Sequence, residues 1–154
     1  MDAYCASPLY RTISGYTAQA EQEFLLPLYT FPEGTVVFNG SIDRLVDLGG
    51  DRLGIVDYKT GHPPTGGQEK QGYTRQLTIY AKAAETLYPG RKVAWARLHF
   101  LQDCSSWELQ DRPREEKKLE QLLEKLVQYK EERDFPVHAD GCAFCPYSYF
   151  CKKE

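Results

Sequence analysis

Three short stretches of this 154-residue chain carry side chains that could act together on a bond. In Ile55-Val56-Asp57-Tyr58-Lys59, the two-residue period of a strand puts Asp57 and Lys59 on one face and Val56 and Tyr58 on the other. A second run, 35–48 (TVVFNGSIDRLVDL), contains Asp43, and Gly49-Gly50-Asp51 between the runs signals a tight hairpin turn. A turn centred on Gly50 pairs residues equidistant from it, which sets Asp43 opposite Asp57. Two carboxylates facing each other across a ladder repel. A divalent cation held between them removes that cost, and an oxygen-only donor set favours Mg²⁺ or Mn²⁺. Lys59 would then stand beside a water activated by the metal, where it could help remove a proton or stabilise developing charge. Metal, water and lysine together suit phosphodiester cleavage. Taken alone, the same residues also describe a surface hairpin with a salt bridge worth under about 1 kcal/mol.

The third stretch is helical. Gln76 and Tyr80 are four residues apart, so they share a helix face and could reach one point with their polar tips. A separate cluster stands near the end of the sequence. Cys142, Cys145 and Cys151 have the spacing C-x₂-C-x₅-C, with thiolates close enough to chelate one centre. Three thiolates need a fourth ligand for tetrahedral zinc or a four-cysteine cluster, and Cys5, Cys104 and His138 are the candidates. Five cysteines so unevenly placed do not read as a paired disulfide framework.

These groups need elements to hold them. Residues 1–22 are polar, with a weak helical tendency around 18–23. Residues 23–31 (EFLLPLYTF) read as a strand, which Pro27 assigns to an edge or a bulge. The runs 35–48 and 52–60 follow as a hairpin, and the glycine at 40 marks a bend. Residues 61–72, rich in Gly and Pro, predict a mobile loop. Leu77, Tyr80, Ala81, Ala84 and Leu87 give a helix over 73–88. A strand over 92–101 pairs with 106–110, and a charged helix over 114–133 carries Leu119, Leu122, Leu123, Leu126 and Val127 on one stripe. The order β-β-β-α-β-β-α predicts an α/β domain: a mixed sheet with leading antiparallel strands, flanked by helices and followed by a cysteine-rich tail.

At the level of motifs, Gly40-Ser41-Ile42-Asp43-Arg44, Ile55-Val56-Asp57-Tyr58-Lys59-Thr60-Gly61 and Gln76-Leu77-Thr78-Ile79-Tyr80-Ala81 together resemble the motif series of RecB-type nucleases. These belong to the PD-(D/E)xK superfamily, with the RecB, AddA and AddB nuclease domains and the CRISPR-associated RecB-like exonucleases among them. The resemblance covers about residues 20–154. It implies a restriction-endonuclease-like core and metal-dependent cleavage of DNA. By the same resemblance Asp43 and Asp57 bind the metal, with the Tyr58 carbonyl as a further ligand. Lys59 is catalytic, and Gln76 and Tyr80 form an auxiliary pair. Glu23 matches an acidic position of such domains, with Glu21 as its rival. Many members carry a metal-binding histidine ahead of the first strand, whereas His62, His99 and His138 all lie beyond it. Either the domain is an excised or minimal one, or water and Glu23 complete the metal shell. AddB and the CRISPR-associated relatives hold a [4Fe–4S] cluster on one early and three late cysteines. That implies Cys5, Cys142, Cys145 and Cys151 as cluster ligands, Zn²⁺ as the alternative occupant, and Cys104 as a free thiol.

Composition bounds the remainder. With 42% hydrophobic and 27% charged residues and no apolar run of membrane length, the chain reads as one cytoplasmic domain over 1–154, its core at 20–137 and its tail at 138–154. Nineteen basic against 22 acidic residues, a net charge of −3, exclude a basic coat protein but permit a local DNA patch, with Arg44, Lys70, Arg75 and Lys82 flanking the motifs. The expected activity is exonucleolytic DNA cleavage in repair or recombination, on single strands or duplex ends. The expected setting is the nuclease module of a helicase–nuclease. The alternative is a non-catalytic DNA-binding or scaffolding domain that keeps the fold and a structural cluster.

Overall fold

The structure, a computed structural model, describes residues 2–130. Its hairpin turn is where the glycines require it. Gly49 and Gly50 both have positive φ, 84° and 62°, a conformation that a side chain resists, in a three-residue turn closed by the Leu48 N–H donating to the Arg52 carbonyl at 3.1 Å. The flanking strands, β2 (Gly34–Asp47) and β3 (Arg52–Lys59), therefore pair in the expected register, Arg44 with Val56 and Leu45 with Ile55. Ahead of them runs β1 (Ala18–Phe31), antiparallel to β2. Helix α3 (Gly67–Leu87) carries the chain to β4 (Lys92–Phe100), which pairs parallel to β3. Strand β5 (Ser105–Glu108) turns back antiparallel to β4, and α4 (Arg112–Gln128) follows. The sheet order β1-β2-β3-β4-β5 makes a mixed five-stranded sheet flanked by helices, the α/β class that the sequence predicts.

Both faces of the sheet are covered, and strand alternation assigns side chains to each. On one face Ile42, Leu45, Leu53, Ile55, Leu98 and Phe100 of the sheet cluster with Leu77 and Ala81 of α3 and Leu119 and Leu123 of α4. On the other face, two short helices that the sequence reading did not anticipate, α1 (Asp2–Cys5) and α2 (Pro8–Ile13), cover Val46 and Val56 with Leu9 and Ile13. The signal for α2 was Ser7-Pro8: the Ser7 hydroxyl accepts from the Tyr10 N–H at 3.1 Å, and proline opens the helix.

Other expectations shift. The weak helix around 18–23 is strand instead, because pairing with β2 overrides a marginal local preference. Pro27 does lie on an edge strand, where the register slips between Pro27 and Tyr29. The loop expected over 61–72 ends earlier, since α3 begins at Gly67. The added residues 67–72 are exposed and include two glycines, each of which costs a helix interior about 1 kcal/mol. Gly40 gives room to a neighbour, since a Cβ there would come 2.8 Å from the Phe24 ring. On α4 the apolar stripe is narrower than expected: Leu119 and Leu123 are buried, but Leu122 and Leu126 are exposed. Among the described residues no helix is long and apolar enough to cross a membrane.

An ionic clamp joins α3, α4 and β4. Arg112 donates to both Glu85 oxygens at 2.8 and 2.9 Å, and the Val93 N–H donates to Oε1 at 2.9 Å. Burial pushes the Glu85 carboxyl up, but these donors outweigh it and hold it below its usual range. A carboxyl lowered on folding adds stability above its unfolded value of 4.5, and that share is lost as pH falls through the folded value. Glu85→Gln is expected to cost about 2 kcal/mol at neutral pH and progressively less in acid. Urea unfolding at neutral pH and well below pH 4.5 measures both. An equal loss at the two pH values would overturn the electrostatic reading.

Candidate active site

Strand β3 is central and covered on both faces, so residues Leu53–Asp57 are all buried. Four of them are apolar or glycine. The fifth is Asp57, a carboxylate with only 2% of its surface exposed. Burial raises its carboxyl above the usual range, Lys59 pulls it back, and the Asp43 charge pushes it up again. Asp43 stands on β2 one step beyond the last paired residues, and its Oδ2 accepts the Tyr58 N–H at 2.8 Å. The ladder there gives way to a side chain, which fixes the second carboxylate beside the first.

Helix α3 closes over this pair. Gln76 Nε2 donates to Asp57 Oδ1 at 3.2 Å and to the Tyr80 hydroxyl at 3.0 Å, while its Oε1 accepts from Lys59 Nζ at 3.0 Å. One amide thereby fixes the acid, the lysine and the tyrosine. Tyr80 is seated edge-on against Phe24 at 6.0 Å, and burial raises its phenol. Lys59 Nζ also lies 2.6 Å from Asp57 Oδ2. Among the described residues that ammonium is the partner of Oδ2, and no backbone, amide or hydroxyl donor reaches this buried oxygen. A buried carboxylate with a second carboxylate close enough to raise its pKa, and a lysine that a cation could displace, suits a hard divalent cation. The oxygen donors of Asp43 and Asp57 fit such a group.

The sequence model of the PD-(D/E)XK nuclease superfamily matches residues 7–152. The chain belongs to this superfamily. Asp57-Tyr58-Lys59 reads as the (D/E)XK of its name. The fold is similar to the crystal structure of SSO0001, with a TM-score of 0.53 at 18% identity. That likeness covers 93% of this chain but 64% of the SSO0001 chain, so the present chain spans less than two thirds of it. No curated protein matches the chain.

Within this superfamily domain, not every residue singled out from the sequence reaches the site. Glu23 pairs with Ser41 and is exposed, and its neighbour Phe24 is the residue turned under α3. Alternation therefore sends Glu23 to the other face. Glu21 is also exposed and has a φ of 50°, a conformation outside regular strand, while Ala20 and Gln22 on either side pair with Arg44 and Ile42. Among the described residues no group of three or more His, Cys, Asp or Glu could hold a metal ion, so the carboxylates at the site are two. Tyr58 sends its side chain away from the site, its hydroxyl 2.6 Å from that of Tyr4. Arg44 shares that opposite face, paired with Val56, and Lys82 lies over the Tyr29 ring. Lys70 and Arg75 are exposed on α3. Cys5 ends α1, exposed, and Cys104 sits in the β4–β5 turn with a φ of 55°. Cys142, Cys145, Cys151 and His138 lie outside the described residues. One site residue was missed. Tyr73 places its ring under Lys59, with Nζ 5.2 Å from the centroid. Its spacing of three from Gln76 and seven from Tyr80 is the helical signal that would have revealed it.

Proposed function

We propose that the chain is a RecB-type, Mg²⁺- or Mn²⁺-dependent deoxyribonuclease that removes nucleotides from DNA ends in repair or recombination. The observation that carries this reading is the convergence on one buried point of Asp43, Asp57, Lys59 and Gln76, with the Lys59 ammonium as the partner of Asp57 Oδ2. A domain without catalytic duty has no physical need for a carboxylate buried at the end of an apolar central strand. Asp43, Asp57 and the Tyr58 carbonyl would hold the cation, and Glu23 would be no more than an indirect contributor from the opposite face. A divalent cation supplies charge neutralisation and lowers the pKa of a coordinated water. The chain's own residues do the rest. Lys59 presents an ammonium to charge developing on the phosphate, Gln76 fixes the direction of that ammonium and of Asp57, and Tyr80 fixes Gln76.

Three further parts belong to the reading. Cys5, Cys142, Cys145 and Cys151 hold a [4Fe–4S] cluster that staples the two ends of the domain, with Zn²⁺ as the alternative occupant. A helicase domain or subunit supplies the DNA strand. The protein works in the cytoplasm. The test is to incubate purified protein with end-labelled single- and double-stranded DNA. Cleavage with Mg²⁺ or Mn²⁺ and none with a chelator is expected, and mononucleotides released from the ends distinguish exonuclease from endonuclease. The same preparation should be brown, with a broad visible band that bleaches on reduction. DNA binding without cleavage under any metal would favour the scaffolding alternative, and colourless protein releasing zinc would replace the cluster assignment.

A further inference from the structure

We infer that Tyr73 is a positioning residue for Lys59, and that the face of its ring, not its hydroxyl, does the positioning. The catalytic consequence rests on the nuclease reading above; the contact itself does not.

An ammonium has three N–H groups to place. Among the described residues Lys59 Nζ has three fixed surroundings: Gln76 Oε1 at 3.0 Å, Asp57 Oδ2 at 2.6 Å, and the Tyr73 ring with its centroid at 5.2 Å. Tyr73 and Gln76 are three residues apart on α3, so one helix face supplies two of these surroundings. The ring is held at both ends. Phe100, fully buried on β4 and paired in register with Lys59, meets it edge-on at 6.3 Å. The Tyr73 hydroxyl donates to Glu69 Oε1 at 3.3 Å, one turn back along the helix.

The three partners differ in permanence. Asp57 Oδ2 is also the oxygen best placed for a cation, so whatever it shares with a cation it withdraws from Lys59. Gln76 then remains as one hydrogen bond on a side chain with about 2 kcal/mol of rotamer freedom, which leaves the ammonium free to swivel. An aromatic face attracts the cation without offering a lone pair that could take its proton. The ring therefore restrains the ammonium from one side and leaves an N–H free to face a phosphate oxygen. Helical spacing puts Tyr73 on the face of Gln76, but its contact with Lys59 also needs α3 to lie across the end of β3.

The experiment compares Tyr73→Phe, which keeps the ring, with Tyr73→Leu, which keeps apolar packing on Phe100 but loses it. On labelled DNA with Mn²⁺, Tyr73→Leu is expected to lower kcat by about tenfold with KM little changed, and Tyr73→Phe to stay near wild type. In metal-free protein, the Lys59 side-chain methylene protons nearest Nζ should show an upfield ring-current shift by NMR. Wild type and Tyr73→Phe should show it; Tyr73→Leu should not. Wild-type kcat in Tyr73→Leu, or equal impairment in both variants, would overturn the inference. If the wild-type protein cleaves nothing, the nuclease reading fails by itself. The NMR arm still decides the contact: a shift unchanged in Tyr73→Leu overturns it, and a shift lost there but kept in Tyr73→Phe upholds it.

Discussion

Asp57→Asn is expected to abolish DNA cleavage, by roughly 10³-fold or more, while leaving the metal-free protein more stable than wild type. The two effects share one cause. Asp57 is 2% exposed, feels the Asp43 charge, and has in Lys59 a partner too exposed to offset its burial in full. A charge there is costly to bury, and burial is the largest influence on its carboxyl. An asparagine keeps an oxygen for the Gln76 Nε2 bond and removes the charge, for a gain of about 1 kcal/mol. It also removes the ligand. A cation at a hundredfold excess over its dissociation constant adds about 2.7 kcal/mol to a protein that binds it only when folded. Urea unfolding with and without Mg²⁺ should show that increment in wild type and none in Asp57→Asn. A variant less stable than wild type without metal, or one still stabilised by metal, would defeat the argument.

Lys59→Met should lose cleavage as fully, by roughly 10²- to 10⁴-fold, but with the opposite effect on stability. Its ammonium is the counter-charge to the buried Asp57 and the donor to Gln76 Oε1. Without it the carboxylate is buried unpaired. Breaking a fully buried pair this way costs several kcal/mol, and since Lys59 keeps 21% of its side chain exposed, the loss here should be about 2 kcal/mol. Metal binding should survive, because no ligand has been removed and the competitor for Asp57 Oδ2 is gone. Mg²⁺ should therefore stabilise Lys59→Met at least as much as wild type. The pair of variants, both inactive but opposite in metal-free stability and in metal response, separates ligand from catalytic group. Neither signature is expected of a surface salt bridge, whose loss changes stability little in either direction.

Both carboxylates, the lysine, the glutamine and the distal tyrosine were legible before any fold was known, and the reason is local. Two glycines with positive φ fix a turn, the turn fixes the register, and the register sets Asp43 beside Asp57. A period of two puts Lys59 on the face of Asp57, and helical spacing puts Gln76 on that of Tyr80. Each step spans a few residues and follows from backbone sterics. The tertiary structure decided what those steps cannot reach. That β4 pairs parallel to β3, with α3 as the crossover, lays Gln76 across Asp57 and brings Tyr73 to Lys59. The same packing covers both faces of β3, and so makes Asp57 a buried acid rather than a surface one. It also sends Glu23 to the face away from the site, although its sequence neighbourhood fitted a ligand as well as any. Periodicity gives each element its faces, and only long-range burial of apolar surface decides which faces meet.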